Sequence, residues 1–269
     1  RQLASDAGMQ PFRFTTFDVE KEKRYQIYRN ILKDYAEYHH KIIFRQVSSP
    51  KDYLNNRGIS DEIISEFQIG FVPGNSNYFL ELSKKYNEKE ILDTGLFYRS
   101  EKSNKIVNRF YSRIIFPIKN ILGDVIAFGG RIVKDNKIAK YINSPETEFY
   151  KKGNNLYNIN AAKELRDKKD EVFIVEGYMD VINLHKFGIE NVVANLGTAV
   201  TEKQIELIWK FFKNPIICLD GDISGQKAAV RAAEKLFPIM KADSNIYFLT
   251  LPENLDPDSY INQKGKDSF

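Results

Sequence analysis

Four short apolar runs, each followed or preceded by a helical pattern, dominate the second half of this chain. They are Val172-Phe-Ile-Val175, Asn191-Val-Val-Ala194, Ile216-Ile-Cys-Leu219 and Ile246-Tyr-Phe-Leu249. The runs are continuous rather than alternating, which is the pattern of strands covered on both faces. Strands of that kind joined through helices run parallel, so the spacing predicts an α/β layer with a parallel sheet. Between the runs, residues 178–187 read as a helix ended by Gly188. Thr201-Glu-Lys-Gln204 has capping-box form and opens a helix to about Phe212. A long helix is expected from about Gly225 to Met240. Cys218 falls inside the third run and reads as core. As the single cysteine it excludes an internal disulfide framework and a Cys-rich zinc site, so zinc is not expected in this fragment.

The first half is organised differently. Residues 18–45 read as one amphipathic helix with Ile27, Ile31, Tyr35 and Tyr38 on its apolar face, and shorter helices are expected at 50–56 and 60–67, the latter capped by Ser60. Arg113–Ile118 and Val125–Phe128 flank a turn at Asn120–Asp124, the pattern of a β-hairpin. Residues 129–155 read as irregular basic loops. His39 and His40, adjacent on a helix, read as surface residues, and His185 as a lone helix histidine. The boundary falls near 160, giving a mixed α+β region over 1–160 and a parallel-sheet α/β region over 161–269.

Charge follows that division. The whole chain of 269 residues carries a net +4, but residues 161–269 hold 14 basic against 17 acidic side chains, and the excess sits in 99–152, with 12 basic against 5 acidic. A basic segment beside an acidic half suggests that one part holds a polyanion and the other does chemistry. With 42% hydrophobic and 13% aromatic residues the chain is an ordered globular one. No apolar run approaches the roughly 18–20 residues of a membrane helix, and the first dozen residues lack an apolar signal segment, so a soluble intracellular protein is expected with no membrane partner.

In an open parallel sheet the working site lies beyond the carboxyl ends of the strands. The first run ends in Glu176-Gly177, with Asp180 one turn into the next helix; the third ends in Asp220-Gly-Asp222; the fourth is followed by Asp256-Pro-Asp258. Singly these are good turn residues. Together they place carboxylates from three strands on one rim, where like charges repel unless cations neutralise them. Such hard oxygen donors suit Mg²⁺ or Mn²⁺. Asp220-Gly-Asp-Ile-Ser-Gly225 also opens like a calcium EF-hand loop, but position twelve is Arg231 and a strand precedes it, so that reading is rejected. In Asn195-Leu-Gly-Thr198, Gly197 allows close backbone approach to a phosphate, though a plain strand–helix turn accounts for it equally.

Glu176-Gly-Tyr-Met-Asp-Val181, Asn195-Leu-Gly-Thr198 and Asp220-Gly-Asp-x-x-Gly-x-x-Ala-Ala229 resemble the Toprim fold, in the version found in bacterial DnaG-type DNA primases. Arg109-Phe-Tyr-Ser-Arg113-Ile-Ile-Phe-Pro-Ile118, Gly129-Gly-Arg131, Lys140-Tyr-Ile-Asn-Ser-Pro-Glu-Thr147 and Lys152-Gly153 are similar in order and spacing to the basic domain of those primases. The resemblance implies synthesis of short RNA primers from NTPs on a single-stranded DNA template in the bacterial cytoplasm. It implies Glu176, Asp220 and Asp222 as catalytic metal ligands, with Asp180, Asp256 and Asp258 close by. It implies Arg109, Arg113, Arg131, Lys140, Asn143 and Lys152, with Asn195 and Gly197, as contacts to triphosphate or template. Tyr141 either stacks on a base or packs. The family's N-terminal zinc-binding and C-terminal helicase-binding modules are missing, so a catalytic core, expected as a monomer, is implied, with the replicative helicase reached only through the missing module. The alternatives are the primase part of a phage-type primase–helicase, a non-catalytic Toprim DNA-binding scaffold, and DNA cleavage of the topoisomerase kind.

Overall fold

The apolar runs after residue 160 do assemble into a parallel sheet. In the computed structural model, residues 16–45, 50–133, 138–197, 199–241, 243–252 and 255–269 are described. The first dozen residues, the 134–137 part of the basic stretch, and Thr198 of the Asn195–Thr198 motif lie outside the described residues. In chain order the elements are α1 (Thr16–Arg45), α2 (Pro50–Asn56), α3 (Asp61–Glu66), β1 (Gly70–Val72), α4 (Tyr78–Leu82), α5 (Glu88–Asp93), β2 (Phe97–Arg99), β3 (Ile106–Asn108), β4 (Arg113–Lys119), β5 (Val125–Ile132) and β6 (Tyr141–Asn143). There follow α6 (Ile159–Ala162), β7 (Glu171–Val175), α7 (Tyr178–Lys186), β8 (Val192–Ala194), α8 (Glu202–Ile208), β9 (Asn214–Leu219), α9 (Ile223–Leu236), β10 (Tyr247–Thr250) and α10 (Pro257–Lys264).

The first half is built on an antiparallel sheet of order β1-β4-β5-β6. Its central hairpin, β4–β5, is closed by Asn120, whose Oδ1 accepts from the amides of Leu122 (2.8 Å) and Asp124 (3.0 Å). The stretch after 129 is therefore not all loop. β5 runs on to Ile132, and β6 pairs with it through Gly129↔Asn143 and Arg131↔Tyr141. One face of this sheet packs under α1 with Tyr28, Ile31, Leu32 and Tyr35. The other contributes Phe116, Ile118 and Ile126 to a core shared with Val175, Tyr178 and Ile182 of the second half.

The second sheet has order β10-β9-β7-β8, every pair parallel. Three of its strands are covered on both faces as expected. The fourth is an edge strand: Tyr247 and Phe248 are 51% and 38% exposed, while Ile246 and Leu249 pack against the core half-buried. The expected helices are shorter than the sequence suggested. α8 ends at Ile208, and α9 gives way to a 3₁₀ turn at Phe237–Ile239, where Pro238 cannot supply the amide that continues a helix. Ser60 caps α3 and Thr201 with Gln204 forms the capping box of α8, as read from the sequence.

The histidines also differ from expectation. His39 is fully buried, its Nδ1 2.9 Å from the Tyr35 carbonyl, and burial pulls its pKa down to about 4. His185 is not alone: its Nε2 lies 3.0 Å from the Glu66 carboxylate at the end of α3. Among the described residues no helix is long and apolar enough to cross a membrane.

Candidate active site

Each strand of the parallel sheet hands its chain to a helix at the carboxyl edge, and carboxylates occupy the hand-over points of β7, β9 and β10, while Asn195 follows β8. β7 ends at Val175, so Glu176 emerges at the rim. One turn on, Asp180 Oδ2 accepts from the Gly177 amide at 2.9 Å. β9 ends at Leu219, followed by Asp220. Asp222 is the N-cap of α9, its Oδ1 accepting from the Gly225 amide at 2.6 Å. After β10, Asp256 caps α10, its Oδ1 accepting from the Ser259 amide at 2.7 Å, and Asp258 follows in the first turn. Three of the six acids thus hold helix N-termini, where the amides and the helix dipole favour negative charge.

The six form one electrostatic cluster. Burial, then the charges of Asp220 and Asp222, push the Glu176 carboxyl above the usual range. Burial, then Asp256 and Asp222, do the same to Asp220. Asp180 is pushed up to about 7, by burial first and then by Asp256, Asp258 and Asp220, against the Gly177 hydrogen bond. Among the described residues no positive group is one of the larger influences on these three. Asp258 differs, because Arg57 Nη1 lies 2.6 Å from its Oδ2 and Asn262 donates to its Oδ1 at 2.8 Å. Cys218 sits behind the rim, buried, its thiol pushed up to about 12 by burial, and has the character of core.

These oxygens suit a divalent cation in kind, being crowded hard donors of which only those of Asp258 have a cationic partner among the described residues. Among the described residues no three of them form a finished ligand group. A Mg²⁺-type ion that keeps several waters needs only one or two carboxylates, so Glu176 with Asp220 or Asp222 fits it. Asp258, already paired with Arg57, does not.

The basic and polar residues divide into those near the rim and those away from it. Arg131, on β5, is 8% exposed; its guanidinium carbon lies 4.3 Å from the centroid of the Tyr53 ring and 5.1 Å from that of Tyr141, and its Nη1 donates to Tyr141 Oη at 2.6 Å. Tyr141 therefore packs on an arginine in this structure. Arg57 and Tyr53, which the sequence reading missed, stand beside this group. Lys140 is exposed. Its backbone carbonyl, with that of Ala139, takes the Arg113 guanidinium at 3.1 and 2.9 Å, so the buried Arg113 braces the approach to β6.

Asn143 joins the two halves. Its Nδ2 donates to the Leu196 carbonyl at 2.8 Å, and its Oδ1 accepts from Tyr178 Oη at 2.6 Å. Tyr178 stacks on Phe116 at 5.1 Å and 7°, and Gly129 leaves its ring the room, since a Cβ there would overlap the ring atoms. Asn195 is buried, and Gly197 takes a φ of +72° in the turn after β8, a conformation that favours glycine. Lys152 and Asn155 offer backbone carbonyls to Gln204 Nε2 at 3.2 and 2.8 Å, which ties that segment to the start of α8.

Arg109 lies elsewhere. It opens into a cleft of about 840 Å³ whose walls include Tyr28, Phe97, Tyr98 and Phe149. Tyr28 and Phe97 belong to the core under α1, on the sheet face turned away from the parallel sheet. Arg109 Nε donates to the Gly95 carbonyl at 2.8 Å and its guanidinium carbon lies 5.2 Å from the Tyr98 ring centroid, with no acid paired to it among the described residues.

Comparison with known proteins bears on both halves. The family model of the DNA primase catalytic core, N-terminal domain, matches residues 38–163, and that of the Toprim domain matches residues 170–249. A DNA primase of Pasteurella multocida is 41% identical over 254 residues, which are 93% of this chain and 43% of that protein. The chain thus spans less than half the length of this curated relative. A DNA primase domain from Pseudomonas aeruginosa superposes with a TM-score of 0.82 at 38% identity, covering 90% of this chain and 76% of that one. The DnaG primase catalytic domain bound to ssDNA gives a TM-score of 0.84 at 34% identity, covering 92% and 78%.

Proposed function

Because the chain belongs to the DnaG-type DNA primases and covers about three quarters of the solved catalytic domains it superposes on, we propose that it polymerises short RNA primers from NTPs on a single-stranded DNA template. The observation that carries the reading is the convergence of Glu176, Asp220 and Asp222 on one rim, where burial and the neighbouring carboxylates raise the proton affinity of Glu176 and Asp220 and, among the described residues, no positive group offsets them. Such a rim suits a reaction between polyphosphates that bring divalent cations with them. In that reaction the primer 3′-oxygen bonds to the α-phosphorus of an incoming NTP, the bond to the β-phosphate oxygen breaks, and pyrophosphate leaves with its electrons.

Glu176, Asp220 and Asp222 would hold Mg²⁺ or Mn²⁺, which when bound neutralises phosphate charge and eases loss of the hydroxyl proton. The residues around the ion have separate tasks. Asp180 and Asp256 add negative potential and keep the starts of α7 and α10 at the rim. Arg57 is paired with Asp258 at this rim and Arg131 lies on the same Tyr53 ring; both would take oxygens of the triphosphate, a role for which a planar guanidinium is suited. Lys140 and Lys152 are exposed or half-exposed and would meet phosphate from the solvent side. Arg109 would contact the template backbone from its own cleft in the first half of the chain. Arg113 and Asn143 have their side chains committed to the fold and would act by placing β6.

The test is labelled-NTP incorporation on single-stranded DNA with Mg²⁺ or Mn²⁺, comparing wild type with Asp220→Asn. Short RNA from wild type only is expected, with DNA binding by the variant intact or slightly tighter. Unimpaired synthesis by Asp220→Asn overturns the assignment of the rim.

A further inference from the structure

One aromatic ring holds Arg57, which is paired with the rim acid Asp258, together with Arg131. Tyr53 lies on α2 and Arg57 follows it by four residues, the spacing that puts two side chains on one side of a helical turn. Arg131 arrives from β5. The guanidinium carbon of Arg57 is 5.4 Å and that of Arg131 4.3 Å from the centroid of the Tyr53 ring, both within the range at which a cation is drawn to the face of an aromatic ring.

Two guanidinium groups gathered on one ring repel each other, so something must hold them there. Arg57 has the Asp258 carboxylate at 2.6 Å. Arg131 has no acid: it is 8% exposed, forms no ion pair among the described residues, and its Nε is buried without a hydrogen-bond partner there. Its polar contact is the Tyr141 hydroxyl. A buried guanidinium in that state is costly unless an anion completes it. Tyr53 itself is half-enclosed, its hydroxyl buried without a partner among the described residues, and burial pushes its phenol up to about 12, so the ring stays neutral between the two cations.

We propose that Tyr53 is a positioning residue: its ring holds Arg57 and Arg131 as a ready-made pair for adjacent oxygens of a polyphosphate at the edge of the acidic rim. The inference rests on the polymerase reading for the identity of that polyphosphate, the triphosphate of an NTP, and on the ring geometry for the rest. The hydroxyl is not the working part. The ring face is, because it supplies attraction to both cations and keeps Arg131 from swinging into solvent before phosphate arrives.

The experiment titrates inorganic tripolyphosphate into wild type, Tyr53→Phe and Tyr53→Leu by calorimetry, and measures the NTP KM and kcat of each on single-stranded DNA. Tyr53→Leu is expected to bind tripolyphosphate about 10-fold more weakly and to raise KM by a similar factor, with kcat within about twofold. Tyr53→Phe is expected to stay within about twofold of wild type in both, since the ring face survives. Replacing Tyr53 by pentafluorophenylalanine keeps the shape and removes the negative ring face, and is expected to behave like Tyr53→Leu; it serves if the leucine variant does not fold. The proposal is overturned if the leucine or fluorinated variant matches wild type, if Tyr53→Phe is as impaired as they are, or if wild type does not bind tripolyphosphate. Wild type that binds tripolyphosphate in a ring-dependent way yet makes no RNA supports the arginine pair and refutes the polymerase reading.

Discussion

Replacing Asp180 by asparagine should stabilise the metal-free protein, and by more at high pH than at low. The Asp180 carboxyl is pushed up to about 7 from its ordinary 3.8, by burial first and by Asp256, Asp258 and Asp220 after it. A raised carboxyl pKa means that the folded state binds the proton more tightly than the unfolded chain. Stability from this group is therefore highest below the unfolded pKa, falls as pH rises from about 4 to about 7, and is flat beyond. Across the whole window the loss is about 4 kcal/mol, and between pH 5 and pH 8 it is about 2–3 kcal/mol. The asparagine would carry no charge at any pH, while its Oδ1 could still accept from the Gly177 amide that Asp180 now holds at 2.9 Å. At pH 5 the folded Asp180 is protonated and this bond is a neutral one in both proteins, while its charge assistance at pH 8 is already contained in the folded-state pKa, so it adds nothing separate to the difference. Urea unfolding of both proteins in EDTA, at pH 5 and pH 8, should show the advantage of Asp180→Asn growing by about 2–3 kcal/mol over that interval. An advantage that does not change with pH would refute the reasoning, and would mean that the Asp180 charge is fully compensated inside the fold.

Three further outcomes follow from the seam and the cleft. Gly129→Ala drives a methyl into the Tyr178 ring and should cost about 1–3 kcal/mol or more, read as a lower melting temperature with no change in the far-UV spectrum of the remaining fold. Asn143→Ala removes the bonds to Leu196 and Tyr178 and leaves a buried phenol unpaired; a loss of about 2–3 kcal/mol in denaturant unfolding is expected. Arg109→Ala should weaken single-stranded DNA binding and make log K against log salt shallower by about 0.7, the slope of one lost phosphate contact, while the stability curve barely moves. An unchanged slope would make Arg109 a packing residue of the cleft.

The legible parts of the fold are those in which one local rule decides. Continuous apolar runs mark β7, β8 and β9, because a strand buried on both faces admits little else. The same rule misreads β10, whose Tyr247 and Phe248 are apolar yet exposed at the sheet edge. β1, β2, β3 and β6 are three residues long and take their strand character from partners distant in sequence, so no periodicity betrays them. The apolar face of α1 lies about a residue away from the one its sequence suggests. The buried stripe is Tyr28, Ile31, Leu32, Tyr35, Ala36, His39 and Ile43, and it includes a histidine that packs between tyrosine rings with its Nδ1 on a backbone carbonyl. At the site, the acids are visible because strand ends mark themselves. Arg57 is not, since its partner Asp258 is 201 residues away and only the fold brings them together.

Asp180, Asp222 and Asp256 are good turn residues and rim residues at once, and the structure explains why the two readings do not compete. Each gives one carboxylate oxygen to a helix N-terminus, Asp180 to Gly177, Asp222 to Gly225 and Asp256 to Ser259. That bond fixes the side chain at the rim and leaves its other oxygen outside the cap. The helix ends also supply the cheapest available offset to like-charge crowding, typically about 0.3–1 kcal/mol each. For Asp180 about 4 kcal/mol is left after the Gly177 bond has acted against burial and crowding, so its cap does not balance them. Among the described residues one guanidinium is ion-paired within the cluster, that of Arg57, and it sits on Asp258. Nothing among the described residues meets the remaining imbalance at Glu176, Asp180 and Asp220, which leaves it to protons when the pH is low and to cations when it is not.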